Sequence, residues 1–124
     1  MSGMRILVAA SECYPLAKTG GLADVAGALP PALEALGHEV LTCLPGYPSV
    51  FAALGDTEEI DGYAELYGGP ARVLRGRAAG LDVAVVDAPH LFDRPGHPYV
   101  APDGEEWGDN AFRFAALAVV AREL

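Results

Sequence analysis

The order of apolar patterns in the first 45 residues most constrains what this chain can fold into. Ile6-Leu-Val-Ala-Ala10 is an unbroken apolar run bounded by polar residues, which predicts a strand buried on both faces, as in a parallel sheet. A polar, glycine-bearing stretch follows, Ser11–Gly21. Leu22, Val25, Ala26, Leu29, Leu33 and Leu36 then recur at helical spacing, predicting an amphipathic helix with one buried stripe. Pro30 and Pro31 fall inside that pattern and predict a kink or two short helices in series, and Gly37 is placed as the stop. Val40–Leu44 reads as a second buried strand, ended by Pro45-Gly-Tyr-Pro48. Strand, glycine loop, helix, strand is a βαβ unit of the Rossmann-like α/β class. In such sheets ligands bind outside the C-terminal strand ends, which makes Ser11–Gly21 a candidate site by position alone.

The later sequence is less regular. Ile60–Tyr67, Ala71–Ala78 and Leu81–Asp87 read as three strands separated by Gly68-Gly-Pro70 and the Ala79-Gly80 turn. Leu81–Val86 is the segment expected to rejoin the central sheet. A loop rich in Pro, Gly and aromatics spans Ala88–Trp107, and Asp109 is placed to cap a helix running from Asn110 to the last residue. With few parallel strands laid down by then, residues 1–124 are expected to be the first part of a larger N-terminal domain.

Composition narrows the partners. With 52% apolar residues in 124, the chain can build one real core but not two. Seventeen carboxylates stand against 8 Lys and Arg, which argues against a nucleic-acid binder and against an anionic membrane surface. Cys13 and Cys43 lack the spacing of a disulfide framework or a metal site and read as reduced core residues. No metal or cofactor is expected. Ile6–Ala10 is too short for a signal-peptide core or for the roughly 20 residues that span a bilayer, so a soluble, cytoplasmic protein is expected.

Lys18-Thr-Gly-Gly-Leu-Ala-Asp24 is the most informative segment. Two glycines entering a helix let backbone N–H groups approach a ligand, and a lysine beside them adds a mobile positive charge. Lys18 is the sole lysine of the chain; every other cationic side chain is arginine. Residue types alone leave two readings open, a solvated tight turn and an anion site. The segment is neither a P-loop nor a dinucleotide fingerprint, because both glycine patterns are absent.

Taken with Ser11-Glu-Cys-Tyr-Pro15 before it, Lys18-Thr-Gly-Gly-Leu-Ala-Asp-Val25 strongly resembles the N-terminal signature of bacterial glycogen synthases and plant starch synthases, the family 5 retaining glycosyltransferases. The resemblance continues through Gly27-Ala-Leu-Pro30, Leu44-Pro45, Asp87-Ala-Pro-His-Leu-Phe-Asp-Arg94, Gly96-His-Pro-Tyr99 and Trp107-x-Asp-Asn-x-x-Arg-Phe-Ala115. It implies a two-domain GT-B enzyme with its active site between two Rossmann-like halves. That enzyme would move glucose from ADP-glucose to the non-reducing end of an α-1,4-glucan with retention of configuration, without a metal. It implies that Lys18 contacts the donor, that Gly20 and Gly21 bring N–H groups near its diphosphate, and that Asp24 orders the loop or touches the sugar. Tyr99 resembles a family tyrosine lining the cleft. The family's cleft histidine and the arginine, lysine and glutamate of its C-terminal domain have no counterpart within residues 1–124, so this segment alone is expected to be inactive.

The plainer readings stand beside these. Asp24 also suits the helix dipole, Tyr99 also suits packing in a proline-rich loop, and His90 reads as a hydrogen-bonded structural residue. Asp93-Arg94 reads as a local ion pair, Asp56–Asp61 as a solvated surface, and His38 and His97 carry no assignment. A standalone nucleotide-sugar- or glucan-binding module without catalysis is the alternative function. A nicotinamide oxidoreductase is disfavoured, because Leu44-Pro45 stand where an acidic residue would end the second strand.

Overall fold

The computed structural model describes residues 3–124. Strand β1 (Arg5–Ala9) leads through the glycine loop into helix α1 (Gly21–Ala35) and strand β2 (Glu39–Pro45). A short helix α2 (Pro48–Ala53) precedes a meander of β3 (Thr57–Tyr63), β4 (Ala71–Ala78) and β5 (Leu81–Asp87). A four-residue helix α3 (Pro89–Phe92) interrupts the following loop, and α4 (Asn110–Glu123) closes the described chain. The strands form one sheet in the order β1-β2-β5-β4-β3. β1 and β5 both run parallel to β2, whereas β3 and β4 are antiparallel to their neighbours.

The βαβ start is as the sequence predicts, and Leu81–Asp87 does rejoin the sheet beside β2. Val83 through Val86 are buried on both faces, which explains their unbroken β-branched and small apolar character. The Ala79–Gly80 turn has both φ angles positive, as a two-residue hairpin requires. Gly37 stops α1 at φ +92, with the His38 N–H bonded to the Leu33 carbonyl and the Gly37 N–H to that of Glu34.

Four expectations are corrected. β1 is an edge strand whose only partner among the described residues is β2, so Leu7 is 38% exposed where burial on both faces was expected. In α1 the buried side is the small one, Ala23, Ala26 and Pro30, while Leu22, Val25 and Leu29, and Leu36 at its C-cap, face water. The helix lies too close to its neighbours for leucines: a Cβ on Gly27 would sit 2.4 Å from the Tyr14 carbonyl oxygen. α1 also passes through Pro30 and Pro31 as one helix, so of the two arrangements expected there the pair of short helices in series is excluded. β3 begins at Thr57 and ends at Tyr63, earlier than expected at both ends, because an edge strand exposed on both faces has no apolar periodicity to read. Its acidic residues are indeed solvent-facing.

Among the described residues, no helix is long and apolar enough to cross a membrane. Nor is there a group of three or more His, Cys, Asp or Glu placed to hold a metal ion.

Candidate functional site

The glycine loop is shaped by its own hydrogen bonds before any ligand is considered. Cys13 and Ala17 exchange backbone bonds, the Tyr14–Pro15 peptide is cis, and the Tyr14 N–H reaches the Ala23 carbonyl in the first turn of α1. Tyr47, from the loop after β2, donates its hydroxyl to the Ser11 carbonyl at 2.7 Å. The loop is thus tied to both the helix it enters and the neighbouring strand end.

Lys18 is exposed, with its Nζ 2.6 Å from Asp24 Oδ1 and 5.4 Å from the centre of the Tyr14 ring. A Cβ added at Gly20 or Gly21 would meet nothing within 4 Å. Gly20 has φ −163, an extended conformation open to any residue. Neither the packing of the fold nor its backbone angles therefore require these two glycines; the space beside them is free.

Glu12 lies beneath this loop, 2% exposed, and gathers four donors. Its Oε2 accepts the Thr19 hydroxyl at 2.6 Å and the Tyr99 hydroxyl at 2.7 Å. Its Oε1 accepts the N–H groups of Gly20 at 3.2 Å and Thr19 at 3.4 Å. Burial alone would raise the Glu12 pKa, but the Thr19 and Tyr99 hydroxyls and the two loop amides outweigh it and hold it at about 2. Since Tyr99 gives its single proton to Glu12, the Ser11 hydroxyl is the donor in the 2.6 Å Ser11–Tyr99 bond. Burial raises the Tyr99 phenol, Ser11 offsets this in part, and the Glu12 carboxylate raises it further.

Tyr99 arrives from the loop between α3 and α4, which a second buried charge organises. Arg113 is 1% exposed. It donates to the Leu91 carbonyl at 2.6 Å, the Pro98 carbonyl at 2.7 Å and Asn110 Oδ1 at 2.8 Å. Asn110 in turn donates to the Tyr99 carbonyl. Burial, then the charge of Arg94, pushes the Arg113 pKa down. Arg94 makes a bidentate pair with Asp109 at 2.6 and 2.5 Å, so the expected Asp93–Arg94 pair gives way to it. Asp109 makes no side-chain cap to α4, because both its oxygens are turned to that guanidinium. His90 is tied to the Leu66 carbonyl at 2.7 Å, a structural place. His38 accepts the Met4 N–H and His97 the Tyr99 N–H. Cys13 and Cys43 are free and fully buried, and burial pushes the Cys43 thiol up to about 12.

The structure therefore brings Lys18, Gly20, Gly21 and Asp24 together at the C-terminal end of β1 and joins Tyr99 to them through Glu12. Beside Lys18 opens a cavity of about 510 Å³, lined also by Tyr47, Ser49, Arg94, His97 and Arg113. A larger concavity of about 750 Å³ lies at the opposite end of the sheet, near Arg5, Glu39, Arg75 and Asp82. Arg75 and Asp82 there are already paired at 2.7 Å, and the position is the wrong end of a parallel sheet for a ligand. Sequence reasoning passed over Glu12 and Arg113. The one available signal was that each is a single charge inside an otherwise apolar or family-like run.

The family described as the starch synthase catalytic domain matches residues 5–124. The chain belongs to that family. A glycogen synthase from Methylocella silvestris is 61% identical over 94% of this chain and 24% of its own length. One from Rhodopseudomonas palustris (strain BisB18) is 56% identical over 100% of this chain and 25% of its own. The catalytic domain of starch synthase IV from Arabidopsis thaliana, solved with ADP and acarbose, superposes with a TM-score of 0.64 at 27% identity, covering 99% of this chain and 25% of that one. The chain thus spans about a quarter of the length of the curated relatives it matches. The family resemblance and the Rossmann-like class read from the sequence both hold.

Proposed function

We propose that these residues are the donor-facing part of a glucosyltransferase that extends α-1,4-glucan from ADP-glucose with retention of configuration, as glycogen and starch synthases do. The observation that carries this is the Lys18–Gly21 loop. It sits at the ligand end of the sheet, its lysine is exposed, and its two glycines face open space that the fold itself does not need. Relatives above half identity named glycogen synthase, and a starch synthase solved with ADP and acarbose, support the same reading.

In such a transfer negative charge builds on the departing diphosphate. A cation held there is worth more in the transition state than in the ground state. Lys18 supplies that charge, exchanging Asp24 for the phosphate. Gly20 and Gly21 leave room for the diphosphate to come against the backbone, and Asp24 and Tyr99 border the sugar. The remaining catalytic groups belong to a second Rossmann-like half of the whole enzyme, across a cleft.

The test is a radiolabelled transfer assay on the full-length protein, with ADP-glucose and UDP-glucose in parallel and glycogen as acceptor. Incorporation from ADP-glucose is expected. Activity with UDP-glucose alone overturns the donor, and activity with neither overturns the reading.

A further inference from the structure

The amides of Thr19 and Gly20 point the same way and form a small concave donor pair of the kind that takes an anion. Here the anion is the chain's own Glu12 carboxylate. An ionised carboxylate is an acceptor only, with about four lone-pair sites. Two amides and two hydroxyls fill them, so Glu12 keeps no capacity for a ligand. It also has no cationic partner among the described residues, since Lys18 is turned to Asp24. Three of its donors come from the Lys18 loop, and the fourth comes from Tyr99, 87 positions away. Without Glu12 the Tyr99 hydroxyl keeps only its bond to Ser11, the first residue of the loop, and loses its link to the Thr19–Gly20 end beside Lys18.

We propose that Glu12 is a positioning residue of the transfer site, a built-in anion that fixes the Lys18 loop from below and locks Tyr99 against it. It reserves the Thr19 and Gly20 amides, so a donor diphosphate meets Lys18 and the Gly21 end of α1 instead. This rests on the glucosyl-transfer reading for its catalytic part only; the reserved amides are a property of the fold.

The experiment has two readouts on the full-length protein. The first is amide hydrogen exchange over the peptide holding Thr19 and Gly20, in the wild type, Glu12→Gln and Glu12→Ala. Glu12→Ala is expected to speed exchange there, and Glu12→Gln, which keeps one carbonyl oxygen for the amides, to speed it less. The second is donor kinetics at a temperature well below unfolding. Loss of the lock is expected to lower kcat by about 10²-fold in Glu12→Ala, the scale of a misplaced reacting group, with donor KM changing much less. Glu12→Gln replaces the acceptor of two hydroxyls with an NH₂ group and is expected to fall between. Adding Tyr99→Phe to Glu12→Gln is expected to cost less than Tyr99→Phe costs alone, because the two act through one bond.

Unchanged exchange in Glu12→Ala overturns the proposal whatever the enzyme does. Wild-type kcat in both variants, strictly additive losses, or an effect confined to donor KM also overturn it. A wild-type protein that transfers no glucose sinks the functional reading alone, and the exchange result still decides whether Glu12 holds the loop.

Discussion

Two loops meet at the C-terminal end of this sheet, and each is built around one buried charge. The loop after β1 closes on Glu12 and the loop before α4 on Arg113, at 2% and 1% exposure. Neither charge has an oppositely charged partner among the described residues; each is satisfied by neutral hydrogen-bonding groups instead. The difference is in what they hold. Arg113 gathers the carbonyls of Leu91 in α3 and Pro98 in the loop and the side-chain oxygen of Asn110 at the start of α4, so its work is architectural. Glu12 gathers the donors of a loop that shows Lys18 and two unoccupied glycine faces to solvent. The comparison teaches that a single buried charge can serve stability in one loop and geometry for chemistry in its neighbour.

Mutations separate these roles. The largest expected effect is on the chemical side: Lys18→Ala in the full-length enzyme should lower kcat by about 10²–10³-fold while leaving the thermal midpoint in place. A transfer assay beside a melting curve measures both, and near wild-type activity would break the functional half of the contrast. On the architectural side, Arg113→Leu strands two carbonyls and an amide oxygen. Roughly 3 kcal/mol of stability should be lost, read by urea unfolding, and an unchanged midpoint would break that half.

Acid sharpens the contrast, because Arg113 stays charged and Glu12 does not. The Glu12 pKa is held below its ordinary value, so its stabilising contribution is present above pH 4.5 and lost as pH falls toward about 2. A shift of that size corresponds to about 3 kcal/mol. Unfolding measured through that window should show it, and Glu12→Gln should flatten the slope. The smallest effect is expected at Asp24→Asn. Its pair with Lys18 is exposed, at 43% and 55% for the two side chains, and screened. Stability should change by less than about 1 kcal/mol, while donor KM should move, as steady-state kinetics would report.

The sequence disclosed most of the frame because the frame rests on local signals. Val83–Val86 read as a doubly buried strand and are one, and Gly37 reads as a helix stop and has the positive φ that this needs. The Lys18–Asp24 segment was legible because its family signature is contiguous. What failed depended on neighbours. Whether Leu7 is buried depends on a strand beside β1, and which face of α1 is inside depends on how near Gly27 brings it to Tyr14. Asp109 looks like a cap until Arg94, 15 residues earlier, competes for it. Glu12 was invisible as a hub because its distant donor, Tyr99, lies in another loop, and no periodicity in sequence encodes that meeting.

The outward leucines of α1 have a practical consequence for handling this polypeptide. Val25 in α1 and Leu36 at its C-cap are 61% and 70% exposed. Against the cohesion of that face stands the net charge of −9, which keeps copies apart by repulsion. That repulsion reaches only about 10 Å at 0.1 M salt. Residues 1–124 prepared as a separate polypeptide should stay dispersed in dilute buffer and coalesce as ionic strength rises, the reverse of salting-in.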